Sequence, residues 1–125
     1  MSEVLAFVDE LAVSLNTAIA AGSPLVSKVK ATTNLRNLSV PGVLVSPVPR
    51  RDNYTLQGGY LATLSVYCIA QGPGDLTDAK VLDELVDIVT SVADGVYLVE
   101  PVSYVLPNTE AKPALRCEFQ IDVTP

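Results

Sequence analysis

The chain predicts an α+β fold: a mostly antiparallel sheet of four to five strands with two helices packed on one face, in a single domain over residues 1–125. Three observations carry this. Two segments repeat apolar residues at helical spacing, and two others alternate apolar with other residues as strands do. The order α-β-β-α-β-β then sets helices apart from strand pairs, as an antiparallel sheet under a helical layer requires.

In the first segment Val4, Val8, Leu11, Leu15 and Ile19 recur every three or four residues, with Glu3, Glu10, Ser14 and Thr17 opposite. That is one apolar helical stripe. Ser2 is the expected N-cap, Glu3 suits the positive end of the helix dipole, and Gly22-Ser23-Pro24 stops the helix. Residues 25–58 are less regular. Leu25–Thr32 reads as a short strand and Asn34–Ser39 as connection. Val40–Pro49 reads as a β segment bracketed by prolines, which cannot donate to a ladder and so suggest an edge or strand ends. Arg50-Arg51-Asp52-Asn53 and Gln57-Gly58-Gly59 enclose an expected polar loop containing Tyr54.

Tyr60–Ala70 reads as a strand with Tyr60, Ala62, Leu64, Val66, Cys68 and Ala70 on one face. The other face (Leu61, Thr63, Ser65, Tyr67, Ile69) is mixed, which predicts partial cover. After Gln71-Gly72-Pro73-Gly74, a second helix is expected with Asp75 or Thr77 as N-cap and Leu82, Leu85, Val86, Val89, Val92 and Ala93 inward. Gly95 stands where a left-handed C-terminal residue is wanted. Val96–Leu106, interrupted by Pro101, predicts an edge strand or a bulge, and Pro107–Pro113 a polar hairpin loop. In the last strand Leu115, Cys117, Phe119, Ile121 and Val123 face in, while Arg116, Glu118, Gln120 and Asp122 face out.

Composition narrows the function classes. Hydrophobic residues make up 49 % of the 125 and charged residues 18 %, yet Asp9, Glu10, Asp83, Glu84, Asp87 and Asp94 break every apolar run short of the ~18–20 residues of a membrane span. The apolar excess therefore needs a core or an interface. Met1-Ser2-Glu3-Val4 lacks the basic start of a secretory signal, so folding is expected in a reducing cytoplasm, with Cys68 and Cys117 as buried free thiols.

A net charge of −6 argues against a general nucleic-acid binder. The charge is also unevenly spread. Between residues 25 and 55 five bases (Lys28, Lys30, Arg36, Arg50, Arg51) face one acid, Asp52, a net +4; from Asp75 to Glu100 seven acids face Lys80 alone, a net −6. Such regions suit two solvated faces of opposite sign and, equally, complementary contacts between neighbouring copies.

Catalytic chemistry finds little footing. The chain has no histidine, which removes imidazole triads, bases and ligands. Gly72-Pro73-Gly74-Asp75 lacks the spacing of a phosphate-binding loop, and Asp75 and Asp78 would repel a phosphate. Asp83, Asp87 and Asp94 are expected to share the solvated face of the second helix, with nothing to desolvate them. Arg50 and Arg51 beside Tyr54 form the one basic-aromatic cluster, read as an exposed loop with a protein partner, or as a loop disordered until assembly. Arg50, Arg51, Tyr54, Asp83, Asp87 and Asp94 are thus the candidate assembly residues, and no cofactor, metal or catalytic residue is expected.

The layout also resembles a family. An N-terminal helix precedes the proline-bounded Val40–Pro49, a basic loop and the long strand Tyr60-Leu61-Ala62-Thr63-Leu64-Ser65-Val66-Tyr67-Cys68-Ile69-Ala70. The helix Asp78–Asp94, Pro101-Val102-Ser103-Tyr104-Val105-Leu106-Pro107 and Pro113-Ala114-Leu115 then lead into a last strand that runs almost to the end. In layout and size this resembles the tail terminator proteins of long-tailed bacteriophages. The resemblance implies a non-enzymatic virion protein, assembled in the host cytoplasm. It would form a hexameric ring at the head-proximal end of the tail tube, contacting tail-tube and neck or connector proteins. DNA would pass through its lumen without specific binding, and no membrane would be involved. Neck, connector and tail-tube subunits share the same general build. The residues alone also suit a small cytoplasmic oligomeric binding domain.

Overall fold

The structure, a computed structural model, describes residues 3–106 and 110–124. The expected N-cap Ser2 and residues Pro107, Asn108 and Thr109 of the expected hairpin loop lie outside the described residues. The elements are α1 (Glu3–Ala20), β1 (Lys30–Thr32), a 3-10 turn (Leu35–Asn37), β2 (Gly42–Val45), β3 (Arg50–Asp52), β4 (Tyr60–Ile69), α2 (Leu76–Val92), β5 (Leu98–Val105) and β6 (Ala111–Val123).

The α+β class stands, but the sheet differs from expectation. Among the described residues it has six strands and is mixed, in the order β1-β2-β4-β6-β5, with β3 also paired to β4. β1 and β2 run parallel and the other pairs antiparallel. Parallel neighbours need a connection that returns the chain to the end where it began. A strand of three residues needs only a short return, and the segment through the 3-10 turn, capped by the Asn34 side chain on the Arg36 N–H, supplies it. β3 is the second departure: Arg50-Arg51-Asp52, expected in a loop, pairs with Thr63, Ala62 and Leu61. Backbone pairing at an edge asks for no apolar side chains, so composition conceals such a strand. β2 pairs with Val66–Ile69 on the same flank of β4, and residues 46–49, with their two prolines, form the excursion between β2 and β3.

The core follows the stripes. Val4, Val8, Leu11, Leu15 and Ile19 of α1 and Val81, Leu82, Leu85 and Val89 of α2 share one buried cluster with Val43, Val45, Leu64, Val66, Cys117 and Phe119. The Phe119 ring meets Phe7 edge-on at 6.3 Å. Across the sheet Leu44, Ile69 and Ala114 make a second, smaller cluster beneath Leu38, Val40, Val102 and the Tyr67–Tyr104 pair. The mixed face of β4 is therefore covered. α2 starts at the N-cap Asp75, whose side chain accepts from the Asp78 N–H, while the Asp78 carboxylate accepts from the Gly74 N–H at 2.6 Å. Each acid thus satisfies a backbone donor at the helix start. α2 ends at Val92; Gly95 is left-handed (φ +80°), two residues past the cap Ala93 rather than next to it.

The two edges of the sheet are finished differently. At β1 the Asn16 carboxamide accepts from the Ala31 N–H and donates to the Ala31 carbonyl, both at 2.8 Å, and so occupies the outward backbone of that strand. β5 has no such seal among the described residues. The Ala70 N–H donates to the Pro113 carbonyl, so odd-numbered residues of β6 bond β4 and even-numbered ones bond β5. Leu98, Glu100, Val102 and Tyr104 accordingly pair with β6, while Val99, Pro101, Ser103 and Val105 aim their backbone groups outward. Pro101 thus lies on an edge, in a register unbroken from Leu98 to Val105, because its missing N–H costs the ladder nothing.

Candidate assembly surface

Residues of the expected basic loop are held by β3 and the turn after it. Successive strand residues point to opposite faces. Arg50, opposite Thr63, lies on the outer face, where its Nε donates to Asp52 at 2.7 Å. Arg51, opposite Ala62, lies on the helix side with its guanidinium 4.9 Å from the Tyr60 ring, and Tyr54 stacks on Tyr60 at 5.0 Å. The Asp52 carboxylate raises the Arg50 pKa above its ordinary value, and the Tyr54 hydroxyl does the same for Arg51. Both guanidinium groups stay charged. Arg50 is neutralised by its neighbour; Arg51 has aromatic partners and no ion pair among the described residues.

Beyond Asp52 the chain turns tightly. Gly58 N–H donates to the Thr55 carbonyl, Thr55 N–H to the Gly59 carbonyl at 2.7 Å, and Gly59 N–H to the Thr55 hydroxyl. Gly58, at φ +90°, takes a conformation side chains disfavour. The turn leaves Leu56 fully exposed at its corner and Tyr54 largely so. Sequence reasoning named Tyr54 and passed over Leu56, whose only local signal was an apolar residue beside Gln57-Gly58-Gly59.

The acidic candidates separate. Asp83 and Asp87 lie one turn apart on the exposed side of α2, whereas Asp94 falls beyond the helix cap and does not share that face. None of the three has an ion-pair partner among the described residues. Asp83 also rims a feature that the sequence did not reveal. α2 packs on β4 and β6. β5 lies next to β6 at the end of the strand order, beyond the strands on which α2 packs. Beside it runs an open, mainly apolar groove of about 450 Å³ lined by Ala79, Leu82, Asp83, Pro101, Ser103 and Leu115. Val99 and Val105, on the same side of β5, are exposed.

The densest group of titratable residues lies on the outer face. Arg116 donates to Glu100 directly across the β5–β6 ladder and to Glu118 at 3.3 Å, and the Tyr97 hydroxyl donates to Glu118 at 3.0 Å. This is a cross-strand ion network. On the helix side Cys68 and Cys117 are enclosed as free thiols. Their mutual hydrogen bond, with burial, pushes the Cys68 thiol well above its usual range. Among the described residues no group of three or more His, Cys, Asp or Glu could hold a metal ion, and no helix is long and apolar enough to cross a membrane. Compared with known proteins, the sequence matches no family model and no curated protein.

Proposed function

We propose that this chain is a structural virion subunit, a tail terminator. Its copies would join head to tail into a ring, hexameric as in the family it resembles, that caps the tail tube at its head-proximal end and joins it to the neck. The observation that carries this reading is a pair of unlike surfaces on opposite edges of one sheet. Arg51, Tyr54 and Leu56 stand at the β3 side; the α2–β5 groove with Asp83 and Asp87 stands at the other. A head-to-tail joint needs two different patches, and rotation closes it into a ring. The net charge of −6 suits a lumen through which DNA passes without adhering.

The test is the mass of the particle formed by the purified protein, alone and with isolated tail tubes, together with imaging of where it sits. A closed ring found once per tube, at the head-proximal end, is the expected result. A protein repeating along the tube would be a tube subunit, and a monomer without affinity for tubes would remove the reading. Reversing both Arg50 and Arg51 to Glu should impair ring formation or docking.

A further inference from the structure

We infer that the groove between α2 and β5 is the socket for Leu56 of a second copy of this chain. Three observations converge. The groove is apolar, open and uncovered by the helical layer, with Leu82, Pro101 and Leu115 in its walls. Leu56 is its chemical complement, a fully exposed aliphatic side chain. The Thr55–Gly59 hydrogen bonds fix the turn beforehand, so little backbone freedom is lost on docking. Charge matches as well: Arg51, without an acidic partner, stands near the base of the turn, and Asp83 and Asp87, without basic ones, stand at and beside the rim.

The occupant must come from another copy. The turn precedes Tyr60 at the start of β4, on its β3 side, while the groove lies beside Leu115, which pairs with Cys68 near the other end of β4, and along β5, three strand spacings from β3. The offset is ~26 Å along the strands and about 14 Å across them. No chain can seat its own Leu56. Each copy therefore offers one knob and one socket, and the contact is heterologous.

This inference rests on the head-to-tail reading and names its contact. Leu56→Asp alters only an exposed turn side chain, and Ala79→Arg fills the groove from an exposed helix position while opposing Arg51. Each variant, followed by sedimentation and native mass, should lose association about 10- to 100-fold, the range expected for one buried leucine. Mixed in equal amounts, the two should form one-to-one pairs and nothing larger, because one intact knob meets one intact socket. Leu56→Cys combined with Ser103→Cys should give an intermolecular disulfide under mild oxidation.

Either variant assembling like the unmodified chain, or a mixture that stays monomeric, overturns the socket. An unmodified chain that is monomeric at every concentration, with no cross-link in the double-cysteine form, overturns both the socket and the ring. The two readings separate otherwise. Cross-linked particles that ignore tail tubes keep the socket and remove the tail assignment; rings of Leu56→Asp on tubes do the reverse.

Discussion

Asn16 makes a measurable claim about how the β1 edge is closed. Replacing it with Ala removes two hydrogen bonds of 2.8 Å, one to each backbone group of the buried Ala31. Each such bond contributes about 1 kcal/mol, together about 2 kcal/mol. Alanine is the better helix former by up to ~0.7 kcal/mol, which offsets part of that loss. The net destabilisation should be about 1.5 kcal/mol, rising where water cannot reach the vacated groups. With a urea slope of roughly 1.5 kcal/mol per molar, the midpoint should fall by about 1 M. Far-UV circular dichroism reads this directly. Hydrogen exchange at the Ala31 amide should accelerate with it. Asn16→Asp is the control. It keeps an acceptor for the Ala31 N–H but sets a carboxylate against the carbonyl, and should be less stable than the Ala variant. An Asn16→Ala protein within ~0.3 kcal/mol of the original would refute the account, since a solvated edge would then serve as well.

Phe119→Ala deletes an enclosed ring packed on Phe7 and should cost about 3–5 kcal/mol in the same melts. Two glycines should behave differently. A Cβ at Gly42 would run into the Ser39 carbonyl oxygen, so Gly42→Ala should cost upward of ~3 kcal/mol; Gly95→Ala meets nothing within 4 Å and should cost only the ~1 kcal/mol of its left-handed backbone. Cys68 and Cys117, both fully buried, should resist an alkylating reagent at neutral pH in the folded protein and both react in denaturant. Rapid native labelling of Cys68 would contradict its enclosure.

The elements legible in advance were those whose own side chains report burial. α1, α2, β4 and β6 each carry five or more inward residues at a single period, and that period survives any choice of partner. β1 and β3 have three residues each, too few to show a period, and β3 is polar because it lies at an edge. Their existence is decided by Gly42–Leu44 and Leu61–Thr63, which lie outside the segments themselves. The parallel turn of the sheet was invisible for the same reason. At the surface, Arg51 and Tyr54 were legible as a basic-aromatic pair, but Tyr60, which joins them, read only as a strand residue. Asp94 was assigned to a helix face that ends two residues earlier. The groove is built from Ala79, Pro101, Ser103 and Pro113, residue types that carry no local signature of a cavity.

Pro101 has an effect on what kinds of neighbour β5 can accept. An incoming strand reading this rim would find outward amides at Val99, Ser103 and Val105 but a gap at Pro101, so a continuous cross-chain ladder loses a bond in its middle. Stacking by backbone, the route to open-ended fibrils, is thereby discouraged. The valines and the groove beside them still offer grip to a partner that docks through side chains. The strand's interrupted edge keeps an adhesive surface compatible with a particle of finite size.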